Sequence, residues 1–248
     1  MSGRRELFLE EMGLTPVWRL RNRAADEAQA ASAKTEADAV TVPAAPQALR
    51  EFPDREARIA HMDWDELKAK VAACADCGLR KTCTQTVFGV GDEQADWLLV
   101  GEAPGAEEDA RGEPFVGQAG RLLDSMLASI DLARGHDVYI ANVLKCRPPG
   151  NRNPEPMEVA QCSPYLVRQV ELIRPRLILA MGRFACQTLL DTDASIGSLR
   201  GRLHRYHGVP LIVTYHPAYL LRSLHDKAKA WEDLCFARRT MEEQLRQS

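Results

Sequence analysis

Four short apolar runs punctuate the chain, at Trp97–Val100, Val138–Val143, Leu177–Met181 and Leu211–Thr214. Each is rich in Val, Ile and Leu and continuous rather than alternating, the pattern of strands buried on both faces of a parallel sheet. Helical patterns separate them, over Ala119–Ile130, Pro156–Ile173 and Arg183–Leu190, and a last one covers His225–Arg246. A further helix is predicted over Trp64–Ala75, with Asp63 as its N-cap. This alternation predicts an α/β fold: a three-layer α/β/α sandwich with a central four-stranded, mainly parallel sheet. Ligands of such sheets bind at the carboxyl ends of the strands. The unusual sequences lie there: GEAPG after the first strand, NVLKCRPPGN at the end of the second and HPAYLLR after the fourth.

Upstream the pattern fades. Residues 4–22 have the apolar spacing of a short amphipathic helix, carried by Leu7, Leu9, Met12 and Leu14. That helix reads either as a fraying appendage or as a tethered peptide for a protein partner. From Asn22 to about Ala60 the chain is rich in Ala, Glu, Asp, Gln and Pro. So few large apolar groups cannot offset the entropy of ordering, which predicts a flexible linker. Residues 1–60 are thus expected to be an extension and 61–248 the folded domain.

Composition narrows the class. Of 248 residues, 45% are hydrophobic and 27% charged, ordinary values for a globular chain. No apolar run is long enough to span a bilayer, and the N-terminus lacks a secretory pattern, so a cytoplasmic monomer is expected. Seven cysteines in a reducing compartment read as metal ligands sooner than as disulfides. The net charge of −3 argues weakly against nucleic acid, but local charge matters more. Between Ser195 and Arg222 there are four arginines, three histidines and no acid. Arg200, Arg202, Arg205 and Arg222 are therefore candidate phosphate contacts. His204 and His207 read as structural.

Cys74 and Cys77 form a C-x2-C pair, and Cys146 and Cys162 lie beyond the second strand. One close pair plus two distant cysteines can close a four-thiolate site, for zinc or for a [4Fe–4S] cluster alike. Cys83 is a fifth candidate, whereas Cys186 and Cys235 read as core. The loop GEAPGAEEDARGEPFVGQAG lacks the ending of a phosphate loop, and its acids would repel phosphate. Glycosidic cleavage gives carboxylates a use, because one stabilises oxocarbenium charge while another positions water.

Together, GEAPGAEEDARGEPFVGQAG, NVLKCRPPGNRNP and HPAYLLR resemble the family 4 uracil-DNA glycosylases, the iron–sulfur type of that superfamily. The resemblance runs from about Asp63 to the C-terminus. It implies base-excision repair by a monofunctional enzyme that flips uracil out of single- or double-stranded DNA and hydrolyses its N-glycosidic bond. It also implies that Cys74, Cys77, Cys146 and Cys162 hold a [4Fe–4S] cluster. Phe115 matches the aromatic that stacks on the base, and Asn142 the side chain that reads its edge. His216 matches the residue facing uracil O2, Glu102 the acid proposed to position water, and Glu108 the acid near C5. Backbone at Ala103 and Gly105 completes the pocket, and Leu220 falls at the intercalating leucine. Nothing supplies the amine of a lyase. Lys145, beside Cys146, reads as serving cluster geometry or a phosphate contact. Two alternatives compete. A uracil-binding relative that is trapped covalently on DNA carries a histidine-containing insert after the second strand, which NVLKCRPPGNRNP lacks. A non-catalytic iron–sulfur DNA-binding or redox-sensing protein needs neither Glu102 nor Asn142.

Overall fold

In the computed structural model, which describes residues 47–246, the four apolar runs become the middle of one sheet. Strands β2 (Trp97–Gly101), β3 (Val138–Asn142), β4 (Leu177–Met181) and β6 (Val209–Thr214) run parallel, in the order β3-β2-β4-β6. Two short antiparallel strands extend the edges, β1 (Val90–Gly91) beside β3 and β5 (His204–Tyr206) beside β6, so the sheet has six strands rather than the four expected. Neither edge strand is fully buried, which is why neither carries an apolar run.

Side chains alternate across this sheet into two cores. Leu98, Val100, Ile178 and Ala180 face one side, packed with Leu166 and Val170 of helix α5 (Pro156–Ile173) and Ala185 of α6 (Arg183–Leu190). Trp97, Leu99, Leu177 and Leu179 face the other. There they meet Leu123 and Leu127 of α4 (Gln118–Ala128) and Leu234 and Met241 of α9 (Lys227–Arg246). This is the expected three-layer sandwich. Short helices lie in the connections: α3 (Ala106–Arg111), α7 (Ile196–Leu199) and α8 (Pro217–Leu220). Among the described residues no helix is long and apolar enough to cross a membrane.

The expected linker needs correction over its last part. Gln47–Ala60 forms helix α1, and α2 follows at Trp64–Ala72. Asp63 caps α2 as expected, in a reciprocal box with Glu66. Ile59 is 1% exposed and packs with Leu67, Val71 and Tyr165 in a satellite core. Arg55 Nε donates to Asp76 Oδ2 at 2.9 Å, and Nη2 donates to Gln161 O at 2.8 Å. One apolar side chain and one charge thus anchor a helix whose mean polarity reads as linker. The expected N-terminal helix lies outside the described residues. If α1 belongs to the folded unit, Ile59→Ala should lower stability by about 2–5 kcal/mol, the range for truncating a buried aliphatic. Urea unfolding measures this, and an unchanged midpoint would return α1 to the extension.

Candidate active site

Parallel pairing sets Gly101, the last residue of β2, opposite Asn142, the last of β3. Beyond these two residues the sheet opens into a cavity of about 450 Å³. Its walls come from three connections. The β2–α3 loop gives Glu102, Ala103 and Gly105, the β3–α5 loop gives Asn151, Arg152 and Asn153, and the start of α8 gives His216. Glu108, Phe115, Asn142, Tyr219 and Arg222 also line it. The position, at the carboxyl ends of strands on either side of a reversal in strand order, is where α/β sheets bind ligands.

Asn142 is 3% exposed, and its side-chain Oδ1 is buried with no hydrogen-bond partner among the described residues. A Cβ at position 101 would stand 2.4 Å from that oxygen and 2.7 Å from Phe115 Cζ, so only glycine fits. Phe115 stacks near His216, with ring centroids 5.4 Å apart and planes at 28°. His216 caps α8, and its Nδ1 accepts the Ala218 N–H at 3.1 Å. That bond puts the ring proton on Nε2. Burial drives His216 down to about 4, against the opposing pull of Glu108 and with help from Arg222. The imidazole is therefore a neutral donor at neutral pH. Burial also raises Glu102 above the usual carboxylate range, partly offset by Arg183. A neutral donor and a desolvated carboxylate on one cavity are the electrostatics of a catalytic centre rather than of a phosphate site.

A family model described as the uracil DNA glycosylase superfamily matches residues 88–235, more than half of the chain. A type-4 uracil-DNA glycosylase of Archaeoglobus fulgidus is 50% identical over 165 residues, covering 63% of this chain and 82% of that relative. Another, from Pyrobaculum aerophilum, is 40% identical over 181 residues, covering 70% and 92%. This chain belongs to the type-4 uracil-DNA glycosylases. A third member, from Thermotoga maritima, is 44% identical over 156 residues, covering 62% and 81%.

In this type-4 glycosylase all the pocket residues expected from sequence meet in one cavity, but four of the five expected DNA contacts do not. Leu220 is 1% exposed and packs in the core. A residue so placed is no wedge in this conformation, whereas its neighbours Tyr219 and Leu221 are 37% and 39% exposed. Arg200 is consumed inside the fold. It pairs with Asp233 at 2.9 Å and Glu232 at 3.1 Å, donates to Lys229 O and lies over the Tyr215 ring. Arg205 is exposed but stands opposite Pro210, near the start of β6 and away from the cavity, and bonds Gly208 O at 2.8 Å. Arg202 is exposed and does not line the cavity. Only Arg222 does.

Sequence reasoning passed over Arg152, which lines the cavity and is tied to Glu158 by bonds of 2.9 and 2.6 Å. Its signal was a base in the loop after the second strand. Lys145 is 2% exposed, with Nζ donating to Asn142 O at 2.8 Å and Gln169 Oε1 at 2.7 Å, so burial rules out its phosphate contact. Asp109 is not at the site. It accepts from Thr84 N at 2.8 Å and Thr84 Oγ1 at 2.9 Å and ties down that segment.

Cys74, Cys77, Cys146 and Cys162 line one small cavity between α2 and α5, with Leu79, Leu144 and Tyr165. Among the described residues no group of three or more His, Cys, Asp or Glu side chains is placed to hold a metal ion. The Lys145 N–H donates to Cys162 Sγ at 3.2 Å, and Cys74 Sγ donates to Asp76 Oδ2 at 3.3 Å. Burial pushes Cys162 up to about 11, partly opposed by Lys145, and burial and neighbouring thiols raise Cys146 further. Cys83, buried beside Cys146, adds to that rise.

The depressed His216 makes a pH prediction. Between about 6.5 and about 4 the unfolded chain binds a proton at this residue that the native state does not. Its contribution to stability is therefore complete above pH 6.5 and is lost as pH falls through 4. A His216→Gln variant should lose less stability than the wild type between pH 7 and pH 4.5 in urea unfolding. Parallel loss in the two proteins would show that the imidazole titrates normally.

Proposed function

We infer that this chain excises uracil from DNA by hydrolysis, in base-excision repair, leaving free uracil and an abasic site. The buried, unpartnered Oδ1 of Asn142 at the mouth of β3 carries this reading. An empty acceptor there is costly unless a ligand fills it. Uracil does so with N3–H, and the Asn142 amide donates to O4. Cytosine presents an acceptor at N3 and a donor at N4, so the same amide loses both bonds. Phe115 stacks on the extruded base. Glu108 serves first as a scaffold, because its carboxylate accepts from Gly105 N at 3.1 Å and Val116 N at 3.0 Å. That fixes it beside the base, where it also fills the space of a thymine methyl.

In the reaction the C1′–N1 bond breaks, and its electron pair leaves with the uracil ring as an anion spread onto O2. His216, neutral and protonated on Nε2, donates to O2 as charge develops. Glu102, kept dehydrated, stabilises the positive sugar and orients water. Water oxygen bonds to C1′ and one of its protons passes to the carboxylate. Arg222 and Arg152 at the mouth meet phosphates, with Tyr219 and Leu221 as the exposed groups beside the gap. The non-catalytic reading leaves Glu102, Asn142 and His216 converging on one cavity without a use.

We also propose that Cys74, Cys77, Cys146 and Cys162 hold a [4Fe–4S] cluster. Burial raises the thiols of Cys77, Cys146 and Cys162, and a bound cationic metal would compensate the ionisation that burial opposes. A [4Fe–4S] cluster would take its thiolates from these four cysteines, which line one cavity. Its role in this reading is structural, binding α2 to α5.

Three measurements test these readings. Glu102→Gln and His216→Ala should slow single-turnover excision on a uracil oligonucleotide by roughly a hundredfold or more, with little change in DNA affinity. Wild-type rates in Glu102→Gln would move the water-positioning role elsewhere. The rate should also fall with acid at a pH above the ordinary carboxylate range, since Glu102 must be ionised, and Glu102→Gln should lack that limb. Anaerobically purified protein should contain about four iron and four sulfide per chain, and Cys77→Ser should lose both together with thermal stability. Stoichiometric zinc without sulfide would sink the cluster.

A further inference from the structure

The turn that carries Phe115 is bonded on both sides by charged side chains from elsewhere in the chain. On its donor side, the N–H groups of Val116 and Gly117 reach Glu108 Oε1 at 3.0 and 3.4 Å. On its acceptor side stands Arg134, from the connection between α4 and β3. Its Nη1 donates to Pro114 O at 2.9 Å and its Nη2 to Phe115 O at 2.9 Å. Asp124 of α4 orients the guanidinium through Nε at 3.1 Å and Nη2 at 3.0 Å.

This turn needs holding. Phe115 has φ 56°, a left-handed conformation that a bulky side chain rarely adopts. Its carbonyl also sits hard against α4, where a Cβ at position 120 would stand 1.7 Å from Phe115 O. Two consecutive carbonyls of a strained turn ask for two donors in one plane. The guanidinium fork supplies them, and a lysine ammonium does not.

We propose that Arg134 is a positioning residue for uracil excision: it locks the left-handed turn at Phe115 and so fixes the ring on which the extruded base stacks. This rests on the reading of Phe115 given above. Arg134 touches neither the cavity nor the base, so its effect runs through Phe115.

The test is single-turnover excision from a uracil oligonucleotide over a series of enzyme concentrations, with full-length protein. Arg134→Ala, Arg134→Lys, Phe115→Ala and the Arg134→Ala/Phe115→Ala double are compared at a temperature where circular dichroism shows each folded. Arg134→Ala should raise the half-saturating enzyme concentration by on the order of tenfold to a hundredfold, as displacement of a positioning group does. The maximal rate should change less, and Arg134→Lys should recover part of the loss. The double variant should be no worse than Phe115→Ala alone. Additive effects of the two substitutions, or an inert Arg134→Ala beside an impaired Phe115→Ala, overturn the proposal alone. Wild-type excision by Phe115→Ala overturns the stacking reading and the proposal with it. Should Arg134→Ala not fold, Asp124→Asn carries the test. It frees the guanidinium from its orienting carboxylate, and its smaller shift of the same parameter should vanish in the Phe115→Ala background. Persistence of that shift there, or no shift at all, overturns the proposal.

Discussion

Between the end of β2, the end of β3 and the Phe115 ring there is no room for one additional carbon. Parallel register brings Gly101 level with Asn142, and the ladder continues one step further, with the Val143 N–H on Gly101 O and the Leu144 N–H on Glu102 O. Two chain segments forty-one residues apart are thereby fixed to within a hydrogen-bond length. The carboxylate of Glu102, the amide of Asn142 and the aromatic ring inherit their spacing from backbone pairing, the stiffest element of a sheet. Loops supply the side chains, while the register decides where they stand.

Desolvation then sets what each group can do. The same burial that raises Glu102 depresses His216, so desolvation pushes each group toward its neutral form. A protonated histidine here would be drawn to Glu108 and spend its donor before substrate arrives. The bond from the Ala218 N–H to Nδ1 matters for the same reason, since it decides which nitrogen holds the single proton.

The central strands were legible because each is five or six residues of buried aliphatics, and Pro156–Ile173 and Arg183–Leu190 were legible to the residue because proline, glycine and apolar spacing mark their ends. Edge strands such as His204–Tyr206 were not, because one half-exposed polar strand has no periodic signature. Helix α1 hid for a related reason: its attachment rests on Ile59 and Arg55, and one residue of each kind is invisible in an averaged pattern. At the site, residue types and order were readable, and directions were not. Leu220 points inward because α8 packs against the core, and Arg200 is neutralised by Asp233, thirty-three positions away. Contacts at such separation lie beyond any reading of local charge.

The left-handed backbone at Phe115 sets two demands against each other. For folding alone the best residue at that position is glycine, which has no Cβ to strain and nothing to stack. For holding a planar base the best residue is an aromatic, which the turn resists. Selection for heat resistance without regard to repair would therefore drift toward the residue that erases the platform, and a more robust protein would emerge with an emptier pocket.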